Sequence, residues 1–196
     1  MSAGRNVNSQ SQDWCTPLKY VKAIVEMFDG NIELDPCSNK YSIVNAKTEF
    51  MLPSDGLSKL WNYRTIYVNP PYGADRVRKT TIKDWIKKSY ESYIEFGSEI
   101  LLLVPVATNT SHWKNYIFGK AVSICFLYDT RLKFIINGND NNKGAPMSCC
   151  FIYYGKNIDK FQNIFMKFGA VVDISNLINK DIGYYREVYQ ETFLIQ

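Results

Sequence analysis

The stretch Thr65–Val106, TIYVNPPYGADRVRKTTIKDWIKKSYESYIEFGSEILLLVPV, decides how this chain folds. It opens with a short apolar run that stops at Asn69-Pro70-Pro71-Tyr72 and gives way to a basic segment. Ile82, Trp85, Ile86, Tyr93 and Ile94 then recur at helical spacing, and Glu99–Val106 is a second, almost unbroken apolar run. A strand that is apolar on both faces needs cover on both sides, the pattern of a buried parallel strand. Two such strands joined by an amphipathic helix make a crossover unit. Outward from this unit, NIELDP, AVSICFLY, SCCFIYYG and AVVDIS are further short apolar runs, separated by amphipathic ones such as NIDKFQNIFMKFG. The expected class is α/β, with a mainly parallel central sheet and helices on both faces.

The 196 residues suit a single domain, and no composition shift or internal repeat marks a second one. Hydrophobic residues at 46% and charged residues at 21% are ordinary for a folded globular chain. The formal net charge of +4 favours a polyanionic partner only mildly. Five cysteines without a CxxC pair, and one histidine without a neighbouring ligand, argue against zinc and against a disulfide framework. No apolar stretch approaches the roughly 20 residues of a membrane span, and the polar start MSAGRNVNSQSQD lacks the apolar core of a signal peptide. No membrane association, a cytoplasmic location, reduced thiols and no metal are therefore expected.

Residues 1–12 read as a flexible tail, and residues 13–196 as one domain. Thr16 is the expected N-cap of a first helix with Pro17 at its first position, followed by Leu18, Val21, Ile24, Val25 and Phe28. The Asn- and Gly-rich segment from Ile135 to Ser148 reads as a long loop insertion.

In open parallel sheets ligands sit beyond the carboxyl ends of the strands, and here those ends are polar. IELDPCS finishes on Asp35, Pro36, Cys37 and Ser38, and IYVNPPY on Asn69 to Tyr72. Two prolines lack ladder donors and bias Asn69 to an extended conformation, so the chain leaves the sheet there. The Asn69 side-chain oxygen, the Pro70 carbonyl and the Tyr72 ring together suit a planar ligand bearing an amino group. Such a nitrogen is a poor nucleophile because its lone pair is delocalised. Accepting both of its hydrogens favours a tetrahedral nitrogen and stabilises the positive charge that develops on methyl transfer. The alternative is a strand-terminating turn whose tyrosine packs on the surface.

These residues resemble the phage-type, Dam-like DNA adenine methyltransferases. The similarity runs in order through DWCTP (13–17), IELDPCS, NAKTEF, DGLSKLW (55–61), YVNPPYG, LLLVPVATNTSHW and RLKF (131–134), about residues 13 to 154. The resemblance implies a Rossmann-like methyltransferase fold without a separate target-recognition domain, and S-adenosyl-L-methionine as cofactor. It implies Asn69, Pro70, Pro71 and Tyr72 as catalytic residues. Trp14, Thr16 and Pro17 would line the methionine end of the cofactor, with Asp35, Pro36 and Cys37 of the first-strand motif and Asn69 beside it. Asp55 matches an acidic position that can accept from the cofactor's adenine amino group, and Glu49 is an alternative ribose ligand or a solvated charge. The usual Gly-rich loop after the first strand is replaced by DPCSNKYS.

On the substrate side the resemblance implies double-stranded DNA with the target adenine flipped out and Tyr72 stacked on it. Arg76, Arg78 and Lys79 are the expected phosphate contacts, and Arg131 and Lys133 lie at the pocket edge. Lys83, Lys87 and Lys88 either extend that surface or form a solvated helix face. The protein is expected to act as a monomer or homodimer. An RNA base or a protein glutamine amide as acceptor, and a non-catalytic DNA-binding protein on the same fold, are the alternatives.

Overall fold

The computed structural model describes residues 14–129, 131–140 and 147–178. The predicted N-terminal tail and the stretch 141–146 of the predicted loop lie outside these residues. The described chain begins with strand β1 (Trp14–Cys15), helix α1 (Leu18–Met27) and strands β2 (Leu34–Asp35), β3 (Thr48–Glu49) and β4 (Thr65–Val68). Helix α2 (Ile82–Phe96), β5 (Glu99–Pro105), α3 (Ser111–Tyr116) and β6 (Ser123–Leu127) follow. The hairpin β7 (Ile135–Ile136) and β8 (Asn139–Asp140), then β9 (Cys149–Tyr154), α4 (Ile158–Phe165) and β10 (Gly169–Asp173) complete it.

The chain is mixed α/β, built on a seven-stranded sheet of order β10-β6-β9-β5-β4-β2-β3. β3, β2, β4 and β5 pair in parallel, whereas β9 is antiparallel to both β5 and β6, and β10 is antiparallel to β6. Strands β2 to β6 of the sheet therefore share one direction. The expected mainly parallel sheet needs correction at the level of pairing. Inserting β9 between β5 and β6, and adding β10 at the edge, makes the half beyond β5 antiparallel. A strand buried on both faces is equally apolar whichever way it runs, so SCCFIYYG carried no directional signal.

Alternating side chains divide the core into two layers. Leu101 and Leu103 of β5, Phe151 and Tyr153 of β9, and Tyr67 of β4 pack beneath α1 and α4. Ile100, Leu102 and Val104, with Ile152, Tyr154, Ile66 and Val68, face α2 and α3. Helices thus cover both faces, as expected. α2 is secured by a capping box, in which Thr81 and Asp84 satisfy each other's end of the first turn. Its core face is Trp85, Ile86, Ser89 and Ser92, and the predicted stripe residue Ile94 is exposed.

Three local expectations change. Thr16 is not the N-cap of α1. Pro17 occupies that position, its carbonyl accepting from Tyr20 and Val21, while the Thr16 hydroxyl is buried against Tyr67. The buried side of α1 is Tyr20, Val21, Ala23, Ile24 and Met27, with Leu18 and Val25 exposed. The predicted loop from Ile135 begins instead as a hairpin. Asn137 and Gly138 both take positive φ, 52° and 77°, the geometry that an Asn-Gly turn adopts most readily. Through Trp14↔Ile136 and Cys15↔Ile135 this hairpin pairs with β1, forming a small sheet that fixes the entry strand.

Candidate functional site

The polar carboxyl ends of β2, β3 and β4 lie side by side because the three strands are neighbours in parallel register. They bring Asp35, Glu49 and Asn69 to one edge. Asp35 is 4% exposed, and its Oδ1 accepts from the Cys37 N–H at 3.1 Å. Burial, with a smaller push from the Glu49 charge, raises its pKa to about 7. Burial likewise pushes the Cys37 thiol well up, so it stays protonated.

Asn69 follows β4 directly, and its amide is oriented by its neighbours. Nδ2 donates to the Trp14 carbonyl at 3.4 Å and to Thr16 Oγ1 at 3.3 Å. A carbonyl oxygen only accepts, so the atom facing Trp14 must be the nitrogen, and Oδ1 remains on the opposite side of the amide as an acceptor. Thr16 is in turn held at 2.6 Å by the Tyr67 hydroxyl. In the sequence Tyr67 is only one residue of the apolar run before Asn69. It carries a second task because period-two alternation points its ring to the α1 layer, where Thr16 begins the helix.

Two cavities meet at the Cys37–Asn39 turn. A narrow recess of about 10 Å³, the room of roughly one water molecule, is bounded by Trp14, Thr16, Asp35, Tyr67 and Asn69. The larger cleft, about 410 Å³, has an apolar wall of Phe50, Met51, Leu52 and Trp85. Pro36, Asp55 and Pro71 complete it, and Asp75 and Arg78 form its lip. Two buried polar atoms lack a protein partner beside this edge: Ser38 Oγ, in a residue that borders both cavities, and Glu49 Oε1. Buried acceptors and hydroxyls are normally satisfied, so both atoms have bonding capacity that the described side chains do not use.

The DGLSKLW segment is fixed from below. Asp55 Oδ1 caps the short 3-10 turn Gly56–Ser58 by accepting from Leu57 N–H at 3.0 Å. Trp61 Nε1 donates to the Gly56 carbonyl at 2.8 Å. A Cβ on Gly56 would lie 1.9 Å from the Pro36 carbonyl, so glycine is what lets this turn close against the β2 motif. Lys88, expected on a DNA-facing or solvated surface, instead donates to the Leu57 carbonyl at 2.7 Å and lies over the Trp61 ring.

The structure brings together Trp14, Thr16, Asp35, Cys37 and Asn69, and, in the adjoining cleft, Pro36, Asp55 and Pro71. Pro70 is buried at the start of the turn. Pro17 lies outside both cavity walls, at the start of α1. Tyr72 is half-buried: its hydroxyl donates to the Leu103 carbonyl at 3.3 Å and its ring meets Phe134 edge-on at 5.8 Å. Phe134 also contacts Trp14 at 5.3 Å, so RLKF supports both rings from the core through its phenylalanine. Arg131 and Lys133 alternate with the buried Leu132 and Phe134 and are exposed. Beyond Tyr72, Arg76 and Lys79 are exposed, while Arg78 pairs with Asp75 at 2.6 Å. Among the described residues no group of three His, Cys, Asp or Glu is placed to hold a metal ion, and no helix is long and apolar enough to cross a membrane. None of the five cysteines is in a disulfide bond among the described residues.

The carboxyl edge of the sheet thus sets the Asn69 amide oxygen beside a cleft of about 410 Å³. Comparison with known families gives the class. The family model described as DNA N-6-adenine-methyltransferase (Dam) matches residues 4–181, and the chain belongs to that family. No curated protein and no solved structure matches it. Family membership carries adenine methylation of DNA as the broad activity.

Proposed function

We propose that this protein is an S-adenosylmethionine-dependent methyltransferase with a Rossmann-like fold that transfers a methyl group to the exocyclic amine of an adenine flipped out of duplex DNA. The observation that carries this reading is the fixed orientation of Asn69. Its nitrogen is occupied by Trp14 and Thr16, so its oxygen is available at the end of β4 to accept from an amino group. With the Pro70 carbonyl as second acceptor, the two hydrogens of the adenine amine have partners, and its lone pair is freed for attack. The amine loses a proton after it has gained the methyl group. Trp14 and Tyr72, both partly exposed, would give the aromatic wall for the base, with buried Phe134 supporting both rings from behind.

The residues present fit the cofactor. The cleft of about 410 Å³ lies within the usual size of small-ligand pockets. When bound, the cofactor supplies an electrophilic methyl group on a positively charged sulfur. Phe50, Leu52 and Trp85 would hold its adenine, with the second oxygen of Asp55 as acceptor. Glu49 Oε1 and Ser38 Oγ, both unpaired and buried, would serve its ribose hydroxyls. Asp35, Pro36 and Cys37 would line the way to Asn69, and buried Asp35 would bond or face positive charge. Thr16 and Trp14 border the narrow recess at the methionine end. Arg76 and Lys79, with Arg131 and Lys133, would meet phosphates.

The test is transfer of labelled methyl from S-adenosylmethionine to unmethylated DNA, to RNA and to a glutamine-bearing release factor in parallel, followed by digestion to identify the product. N6-methyladenine in DNA is expected. Label confined to RNA or protein would overturn the DNA reading, and cofactor binding without transfer would favour a non-catalytic DNA-binding protein.

A further inference from the structure

The loop between Tyr72 and α2 carries a feature that phosphate binding does not use. Val77 is 89% exposed, the most exposed of the large hydrophobic residues described, and its neighbours Arg76 and Lys79 are exposed cations. A lone surface valine is ordinary. This one sits on a turn that is held from within. Asp75 Oδ1 accepts from the Val77 and Arg78 N–H groups at 2.9 and 3.0 Å, and Oδ2 from Arg78 Nη1 at 2.6 Å. The Asp75 and Thr80 backbones exchange both hydrogen bonds, at 2.8 and 3.1 Å, closing the loop at its base. Asp75, Arg78 and Thr80 face the large cleft, so the loop has one side on the site and its tip in solvent.

The rigid base matters because a tip ordered in advance loses little freedom on binding. Valine adds a β-branched side chain with one dominant χ1. Val77 follows Tyr72 by five residues, at most about 18 Å of chain, or roughly five steps along one DNA strand at 3.4 Å. An apolar side chain flanked by exposed cations, on a loop whose base borders the cleft, has the chemistry of a wedge that enters a base stack while the cations hold the flanking phosphates.

We infer that Val77 is a stacking wedge that enters the duplex beside the target adenine and stabilises the strand with that base extruded. This rests on the DNA-methylation reading above. It makes Val77 a positioning residue: it touches neighbouring bases, not the amine that reacts.

The experiment separates the two ideas. The methylated site is first mapped on plasmid DNA treated with the wild-type protein. Single-turnover rates are then measured on an oligonucleotide duplex carrying that site, and on the same duplex with the base opposite the target removed, which leaves the adenine unpaired in advance. Val77→Ala is expected to lose about tenfold on the paired duplex, about 1.4 kcal/mol, and less than threefold on the abasic one. Val77→Leu, which keeps an apolar tip, should stay within threefold of wild type on both. Unchanged S-adenosylmethionine affinity in Val77→Ala shows that the loop base and cleft survive. Equal loss on the two duplexes, no loss on either, or a wild-type rate that falls on the abasic duplex overturns the wedge. Absence of wild-type label on any DNA, with label on RNA, overturns instead the reading on which it rests.

Discussion

Replacing Asp35 with asparagine separates the site's cost in stability from its use. In the unfolded chain this carboxyl titrates near 3.8, and in the folded protein at about 7, because burial disfavours its charge. Below pH 4 both states are protonated and the group contributes nothing to the balance. Between about 4 and 7 the unfolded chain has released its proton while the folded one retains it, so stability falls as pH rises and then levels off. The difference of about 3 pH units at 1.36 kcal/mol each makes the loss about 4 kcal/mol at pH 8.

Asp35→Asn has no such titration. Relative to wild type, the cofactor-free variant should gain up to about 4 kcal/mol between pH 4 and pH 8. At roughly 2–4 °C per kcal/mol for a chain of this size, the melting-temperature difference should widen by about 8–16 °C. The pH dependence of that difference is the readout. A poorly satisfied amide would cost a constant 1–3 kcal/mol or so at all pH values, and cancels from it. His112, whose pKa is lowered by burial and by Lys83, titrates alike in both proteins and also cancels. The hydrogen-bonded carboxyls of Asp75 and Asp173, held below the usual range, act only below pH 4. Calorimetry at pH 4, 6 and 8 decides. A melting-temperature difference that stays constant with pH would refute the argument that Asp35 is held protonated. In titrations with S-adenosylmethionine, the variant should bind at least tenfold more weakly at pH 8, and wild-type affinity should drop as pH falls through about 7.

Asn69→Ala should reduce methyl transfer by at least a thousandfold while S-adenosylmethionine affinity changes less than about threefold, measured by single-turnover assay and calorimetric titration. Arg76→Ala and Lys79→Ala should each lower the dependence of log DNA affinity on log salt by about one. Arg78→Ala should show a smaller change in slope, because Asp75 already neutralises it. Gly56→Ala should destabilise the protein by about 1–3 kcal/mol in denaturant unfolding, since the new methyl group meets the Pro36 backbone at 1.9 Å. Phe134→Ala should cost about 3–5 kcal/mol and loosen Trp14 and Tyr72 together, visible as a red shift of tryptophan emission.

What the chain revealed in advance follows from which physical signals are local. The β4–α2–β5 unit was legible because hydrophobic period and paired prolines both sit within one 42-residue window. The direction of β9 was not, since hydrophobicity carries no sign along a strand. The hairpin at Asn137-Gly138 was misread even though the dipeptide announces it. Its two-residue strands are too short for alternation to register, and β1, the partner of β7, lies at least 120 residues away. Thr16 shows the same competition at one residue. Its position favours capping, but a hydroxyl from Tyr67, 51 residues distant, takes its side chain into the site.

The unpaired atoms at Ser38 and Glu49 show why a site can be partly hidden in a sequence whose motifs are plain. Neither residue type is unusual at a strand end, and what distinguishes them is burial without a partner, which only neighbouring strands create. Asp35, with its carboxyl pushed up to about 7, belongs to the same group. This edge therefore gathers one carboxyl of raised pKa and two buried polar groups without a protein partner, and a cationic, hydroxyl-bearing ligand would suit all three. Asp75 and Arg78 form the lip of the same cleft and also the base of the Val77 turn, so cofactor bound in the cleft should strengthen DNA binding through the proposed wedge. By reciprocity, duplex DNA should raise cofactor affinity by the same factor.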